Sequence, residues 1–360
     1  MHSRKNKTLI ISSNDIHSIL RHFGIDQVMD SMIQRLQKAM ENYSSEVTSI
    51  PVRSGFNYLK PEPGLIEWMP LYSHGKQVII KVVGYHPSNP LEFKLPTILS
   101  TVSAYDTFSG HMLSIMDGVL LTALRTGAAS AIASRFLAHP ASTVLGLIGC
   151  GAQSVTQLHA ISRIFKLEKV LIHDIDGGAM LSFKERCDQI NLGEAKIIPS
   201  SICDLVENSD IICTCTSVEI GQGPLFSNLN TKQHLHINAV GSDFPGKIEV
   251  PLDFLNNSFV CPDFLDQALV EGECQQLQVQ NIGPSLHTIV KNPLEYYRIQ
   301  YERSVFDSTG WALEDWVAME ILQEYAEELG LGTEIDLENI SEDVKSPYHF
   351  MKCESLQTSY

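Results

Sequence analysis

Apolar residues recur along this chain in two rhythms, and the change from one to the other marks a change of architecture. From Asp26 onward Met29, Met32, Ile33, Leu36 and Met40 fall at three- and four-residue steps, the stripe of an amphipathic helix. Strand-like runs follow at Leu65 to Met69 and Val78 to Val83. Thr97 to Tyr105 and His111 to Met116 then flank the turn Asp106-Thr107-Phe108-Ser109-Gly110, which predicts an antiparallel sheet. Asp117 stands where it can cap a long helix reaching Ala138, with small residues from Thr126 to Ala131 suited to close packing and Pro140 as its stop. After Ala141 apolar strands alternate with helical segments: Val144 to Ile148, Val170 to Asp174, Ile211 to Thr216, His234 to Val240 and Phe259 to Pro262. That alternation predicts parallel β-α-β units. A last helix is expected from about Ala312 to Leu329, with Val317, Ile321, Leu322 and Tyr325 on one face and Gly330 ending it. From Thr333 to Tyr360 no period is visible.

Composition narrows the class. At 360 residues the chain exceeds what one core usually serves, so two domains are expected. Acidic residues outnumber basic ones by 42 to 26 without a Lys/Arg block, which argues against a nucleic-acid partner. The basic opening is followed by too few apolar residues for a secretory signal, and no run reaches membrane-spanning length, so a cytoplasmic protein is expected. Eight scattered cysteines lack CxxC or zinc-type spacing and read as reduced thiols, with no metal site. Cys213 and Cys215 alternate along a strand and fit its packing.

The chemistry begins where the second rhythm begins. Behind the strand Val144 to Ile148 comes Gly149-Cys150-Gly151-Ala152-Gln153-Ser154. Gly149 permits a tight bend, Gly151 lets backbone approach a pyrophosphate, Ser154 takes the third glycine's place, and a helix opening near Gln153 points its N-terminus at the phosphates. Glycines between strand and helix are also ordinary turn chemistry. The next strand ends in Asp174, with Asp176 just beyond, at the distance where a carboxylate receives the adenosine ribose hydroxyls and repels a 2′-phosphate; the pattern favours NAD over NADP. Lys81 interrupts an apolar run and either lies outward on an edge or faces an anion. Arg53 and Arg125 complete a set of cations able to grip a carboxylate. Asp243 follows the strand ending at Val240 and is either a turn residue or an acid at the carboxyl end of the sheet. Glu67 sits among apolar neighbours, and alternation leaves its direction open.

These segments are recognisable together. GLIEWMP, IKVVGYHPSNP, SGHMLSIMDGVLLTALRTGAASA, LIGCGAQS, HINAVGSDFPGKIEV, EGECQQL and VFDSTGWALEDW occur in this order over nearly the whole chain. The chain resembles the ornithine cyclodeaminase and mu-crystallin family, and within it looks closest to the bacterial ornithine cyclodeaminases. The resemblance implies an α/β fold: a Rossmann-type doubly wound parallel sheet domain, residues 127–317, and an α+β substrate-binding and dimerisation domain formed by both chain ends, residues 1–126 and 318–360. It implies Arg53, Lys81 and Arg125 on the substrate α-carboxylate, Asp243 as acid/base group and Glu67 as a second carboxylate. Thr97, Ser308 and Thr309 are expected to line the substrate pocket. Thr126, Thr216 and Lys247 are expected to join Gly149, Gly151, Ala152, Gln153, Ser154, Asp174 and Asp176 around NAD. The implied reaction converts L-ornithine to L-proline and ammonia with NAD recycled in each turnover, in a homodimer serving proline biosynthesis. Two departures, Thr309 in place of a small apolar residue and Leu269 in place of an arginine before EGE, leave lysine or another diamino acid open as substrate. The rivals are an NAD(P)-dependent amino-acid dehydrogenase or cyclic ketimine reductase, and a non-catalytic binding protein of the mu-crystallin type.

Overall fold

The computed structural model describes residues 7–227 and 230–351, so the basic opening as far as Asn6 and Cys353 lie outside the described residues. The amino-terminal sheet is built from β1 (Thr8–Ile11), β2 (Thr48–Ser49), β3 (Ser54–Tyr58), β4 (Gly64–Ser73), β5 (Gln77–Tyr85), β6 (Ile98–Asp106) and β7 (Met112–Asp117). The predicted hairpin is the antiparallel pair β6 and β7, joined through the Asp106 turn. Two helices cover this sheet. α2 (Ile25–Asn42) buries Met29, Met32, Ile33, Leu36 and Met40, the stripe that the spacing predicts. α1 (Ser13–Phe23) was not foreseen, because Ser12, Ser13 and Asn14 read as the end of an apolar run. They are instead a helix start. The Ser12 hydroxyl accepts from the Asp15 amide at 3.3 Å while the Asp15 carboxylate accepts from the Ser12 amide at 2.8 Å, a reciprocal cap.

α3 (Val119–Leu137) joins the two halves and is buried almost all round. Its first residue lies one position past the expected start. Gly118 occupies the cap position, and the Asp117 carboxylate accepts from the Val119 amide at 3.3 Å. The small-residue stretch allows close packing on α4 (Ala152–Ser162): a Cβ on Gly127 would lie 2.6 Å from the Thr156 carbonyl oxygen.

The second sheet is parallel throughout, from β8 (Val144–Ile148), β9 (Lys169–His173), β10 (Lys196–Pro199), β11 (Ile211–Thr214), β12 (His236–Ala239), β13 (Phe259–Pro262) and β14 (Ser304–Asp307). Its order β10-β9-β8-β11-β12-β14-β13 reverses direction between β8 and β11, the switch point of a Rossmann-type fold. Pattern alone misses β10 and β14. β10 is an edge strand with three of its four residues exposed, and β14 is fully buried yet carries only two apolar residues between Ser304 and Asp307. After β9 comes α5 (Gly177–Arg186), and after β10 comes α6 (Ile202–Asn208). α7 (Ala312–Leu329) has the expected bounds and ends at Gly330 in the left-handed conformation, φ 64°. The chain then returns to the first sheet as β15 (Thr333–Ile335), antiparallel to β1, so part of the stretch without visible period is a strand. Three residues are too few to show alternation. Among the described residues no helix is long and apolar enough to cross a membrane.

Candidate active site

The carboxyl ends of β12 and β14 face the inner surface of the first sheet, and the charged residues meet there. Pleating decides their direction. On β4 and β5, Glu67, Met69, Ile79, Lys81 and Val83 share the inward face, which settles the alternatives left open for Glu67 and Lys81. The Lys81 side chain is 2% exposed, with Nζ 2.9 Å from Asp315 Oδ1. Burial first, and the Arg125 charge second, push Lys81 down to about 8 against the pull of Asp315. Arg125 on α3 donates through Nη1 to Glu314 Oε2 at 2.6 Å, and its Nε lies 3.1 Å from Asp315 Oδ1. Burial works against that guanidinium, yet Asp315 and Glu314 outweigh it. The two acids open α7, so one helix start holds cations from β5 and from α3.

Arg53 precedes β3 and reaches across to the loop after β14. Nη2 donates to the carbonyls of Thr309 and Gly310, while Nη1 lies 3.2 Å from Glu271 and 3.6 Å from Glu67. That loop is fixed by Asp263, which accepts from the Thr309 hydroxyl at 2.9 Å and the Gly310 amide at 2.6 Å. Gly310, at φ +94°, passes so close that a Cβ would lie 2.9 Å from one Arg125 nitrogen and 3.3 Å from one Arg53 nitrogen. Asp243 lies on the loop after β12 and accepts from Lys247 Nζ at 3.1 Å; Lys247 also donates to the Tyr85 hydroxyl at 3.1 Å. Burial disfavours the Lys247 charge, but Asp243 and Tyr85 more than compensate, raising it above the ordinary lysine range.

Six buried polar atoms in this cluster have no hydrogen-bond partner: Arg53 Nε, Arg125 Nε, Glu271 Oε1, Ser308 Oγ, Glu314 Oε1 and Asp315 Oδ2. Native proteins leave few such atoms, and a concentration of donors and acceptors in one place is the mark of a polar ligand site. Burial pushes Glu314 up to about 7 and Glu271 up to about 8, in each case against an arginine. Six carboxylates, at 67, 243, 263, 271, 314 and 315, thus surround the four cations Arg53, Lys81, Arg125 and Lys247. A pocket with a carboxylate grip and surplus acid suits a ligand that carries one carboxylate and more than one amine.

The glycine turn lies at the switch point. Gly149 has φ +93°, and a Cβ there would lie 2.6 Å from the Cys215 carbonyl oxygen. Nothing lies within 4 Å of a Cβ built on Gly151, so the backbone at the start of α4 is open to a ligand, as a dinucleotide phosphate requires. Asp174 Oδ2 accepts from the Cys150 amide at 2.6 Å, clasping the turn. Around it the expected cofactor residues divide. Ala152 and Gln153 open α4. Ser154 is fully buried and donates to the Gly149 carbonyl at 2.5 Å, so its hydroxyl shapes the turn instead of meeting phosphate. Thr126 donates back to the Thr122 carbonyl at 2.8 Å within α3. Asp176 caps α5 through the Gly178 amide at 2.8 Å. Thr216 is bound through its amide and hydroxyl to Glu249, which also takes the Thr214 hydroxyl and Gly241 amide and ties the loops after β11 and β12 together. Lys247 belongs with Asp243, and Thr97 stands before β6, where its carbonyl accepts from the His86 amide at 2.9 Å.

Sequence reasoning passed over Glu271, Asp263, Glu314, Asp315 and Tyr85. EGE and ALED mark the resemblance, but acids in the first turn of a helix ordinarily serve its dipole, and nothing local shows that they turn inward. Among the described residues no cluster of three or more His, Cys, Asp or Glu is arranged to hold a metal, and Cys213 and the other described cysteines are free.

The family model described as "Ornithine cyclodeaminase/mu-crystallin family" matches residues 15–330. The chain is 41% identical over 344 residues, 95% of its own length and 99% of the relative's, to a protein of Streptomyces rapamycinicus named L-lysine cyclodeaminase. Its fold is similar, with a TM-score of 0.92 and 43% identity over 95% of this chain and 99% of the other, to a structure described as "Structural basis for recognition of L-lysine, L-ornithine, and L-2,4-diamino butyric acid by lysine cyclodeaminase". An archaeal alanine dehydrogenase dimer with bound NAD matches at a TM-score of 0.81 and 27% identity, over 92% of this chain and all of that one.

Proposed function

The chain belongs to the ornithine cyclodeaminase/mu-crystallin family, and from that premise we propose that it is an NAD-dependent cyclodeaminase of diamino acids. Its substrate is L-lysine, cyclised to L-pipecolate with release of ammonia. One observation of the site carries the reading: buried, incompletely bonded cations and carboxylates converge in one pocket beside a dinucleotide turn. The high identity to a lysine cyclodeaminase favours lysine over the ornithine that the motifs suggested. An alanine dehydrogenase shares the fold, but the acid surplus here has no counterpart in the needs of a substrate with one amine.

Gly149, Gly151, Ala152 and Gln153 would hold the NAD pyrophosphate, and Asp174 the adenosine ribose. The chemistry NAD supplies when bound is reversible hydride acceptance at the substrate α-carbon, with no net oxidation over a turnover. Arg53, Lys81 and Arg125 grip the α-carboxylate, fixing the α-carbon in position. Asp243, on its glycine and proline loop, holds or takes a proton at the α-amine, and Lys247 keeps that carboxylate oriented. Glu67 shares the Arg53 charge. The first sheet excludes water from the pocket. Its other face carries exposed Ile66, Tyr72, Val82 and Leu99 on β4, β5 and β6, and through it the chain forms a homodimer.

The test is incubation with NAD and, separately, L-lysine, L-ornithine and L-2,4-diaminobutyrate, following ammonia, cyclic product and absorbance at the NADH wavelength. Ammonia with equimolar cyclic amino acid and no accumulating NADH is expected, fastest with lysine. NADH formed in step with ammonia would show a net dehydrogenase instead.

A further inference from the structure

A diamino acid arrives with both amines protonated, and its distal nitrogen attacks carbon only after a proton has left it. The carboxylates of this pocket are not equally free to receive that proton. Asp315 and Glu314 each keep one unbonded oxygen but are hydrogen-bonded to Lys81 and Arg125, two of the cations assigned to the α-carboxylate, so they belong to that end of the pocket; Asp263 is used up by the Thr309 hydroxyl and the Gly310 and Phe264 amides, and Asp243 is bound to Lys247. Glu271 differs. Its side chain is 2% exposed, and Oε1 lies 3.2 Å from Arg53 Nη1 but out of line for a hydrogen bond, with no other partner on that oxygen. A carboxylate buried this deeply with an unsatisfied oxygen is costly unless a ligand donates to it.

The mount is rigid. The Glu271 amide donates to the Gln267 carbonyl at 3.1 Å, and the next two amides beyond Gly272 donate to Asp307 at 2.8 and 2.7 Å. Gly272, at φ +80°, leaves no room for a side chain: a Cβ would lie 2.6 Å from Asp307 Oδ1. Glu271 is therefore held in place by its backbone and by a side-chain hydrogen bond with Gln267, while Oε1 stays unbonded. Glu67 approaches the same Arg53 nitrogen, at 3.6 Å, so the arginine keeps a counter-charge when Glu271 turns to another cation. Burial, opposed by Arg53 and reinforced by Asp243 and Glu67, raises the Glu271 carboxyl to about 8, closer to an amine than an exposed glutamate is.

We infer that Glu271 is the receptor for the distal ammonium of the substrate and takes the proton this nitrogen must lose before ring closure. One N–H bond breaks, one O–H bond forms on Glu271, and the freed electron pair becomes the nucleophile; nothing is oxidised or reduced. The assignment rests on the diamino-acid cyclodeaminase reading, and it makes Glu271 the residue that separates diamino from monoamino acids.

The experiment uses protein loaded with NADH, which cannot accept hydride, titrated calorimetrically with L-lysine and with L-norleucine, which has the same chain without the distal amine. Wild type is expected to bind lysine at least tenfold more tightly, about the effect of one charged hydrogen bond. In Glu271→Gln lysine binding should fall on the order of 30-fold while norleucine stays within about threefold, and ammonia release should fall further than lysine binding. Glu271→Asp, which keeps the charge on a shorter stem, should retain part of the preference. Unchanged NADH affinity serves as the folding control. Equal weakening of both ligands in Gln and Asp variants would make Glu271 only a support for Arg53 and overturn the assignment. A wild type that prefers lysine, beside a Gln variant that prefers it equally, would overturn it while sparing the cyclodeaminase reading. A wild type without the preference would remove both.

Discussion

Lys81→Met separates what the buried charge does for folding from what it does for the substrate. The lysine is 1% exposed and is held charged against its surroundings: burial and Arg125 lower it from 10.5 to about 8 in spite of Asp315. That depression amounts to about 3 kcal/mol by which the folded state disfavours the ammonium. Methionine has a similar length and fills the same space, and Asp315 still has Arg125 at 3.1 Å. Removing one member of a buried pair ordinarily costs about 3–5 kcal/mol, but here the remaining acid keeps a partner and a disfavoured charge is gone. The variant should therefore melt within a few degrees of wild type or above it. Its kcat/KM should fall roughly 10- to 150-fold, the loss of one charged contact to the α-carboxylate. Because the folded pKa is lowered, the unfolded chain binds more protons between about pH 8 and 10.5, so this lysine makes wild-type stability rise with pH across that window. Its contribution to activity runs the other way. The carboxylate grip weakens as pH rises through about 8, and the alkaline limb of kcat/KM should disappear in Lys81→Met. Thermal melts and ammonia-release profiles from pH 7 to 10 read both quantities. A large fall in melting temperature, or an undiminished kcat/KM, would refute this account of the lysine.

Asp243→Asn should keep NAD affinity within about threefold, since the residue lies on the loop after β12 and not on the glycine turn, and should reduce ammonia release by about 100-fold or more; substantial residual release would exclude it as the acid/base group. NAD should bind at least tenfold more tightly than NADP in a fluorescence titration, because Asp174 faces the turn and the nearby Arg186 is engaged with the Cys150 and Ala179 carbonyls at 2.7 Å; equal affinities would contradict that. Val82→Glu, placed in the exposed apolar face of β5, should shift the protein from dimer toward monomer in analytical ultracentrifugation without lowering NAD affinity.

What the sequence shows of this fold follows the length and cleanness of its periods. α2 and α7 carry full apolar faces and are legible almost to their last residues. β15, with three residues, and β10, with three exposed residues of four, carry too little pattern to be seen. α1 carries a stripe of its own, Ile16, Ile19, Leu20 and Phe23, behind a reciprocal polar cap, and was passed over because its polar start, Ser12 to Asn14, reads as the end of the short apolar run before it. Lys81 was legible because a charge inside an apolar run demands an explanation, whereas Arg53, in a turn-rich stretch, and Arg125, among small helical residues, stood out only together with it and through the family resemblance. Their partners were not, because Glu314 and Asp315 sit at a helix start where acids are expected anyway, and Glu271 sits in a short irregular stretch.

That asymmetry reflects how the pocket is made. Arg53, Lys81 and Arg125 come from the first half of the chain, before β3, on β5 and on α3, while the acids that receive them come mostly from beyond residue 262. No local pattern can specify a pair separated by 189 to 234 residues. Only the return of α7 to the first sheet brings them together. Placing two adjacent acids at its start has a chemical consequence. Glu314 and Asp315 hold Arg125 and Lys81 from one rigid point, so the two cations are spaced for a carboxylate before any substrate arrives, and the unbonded oxygens Glu314 Oε1 and Asp315 Oδ2 remain available inside the same pocket. Neutralising one acid, as in Glu314→Gln, should loosen Arg125 without removing it. The grip would survive with a raised KM, whereas losing Lys81 removes one of its members.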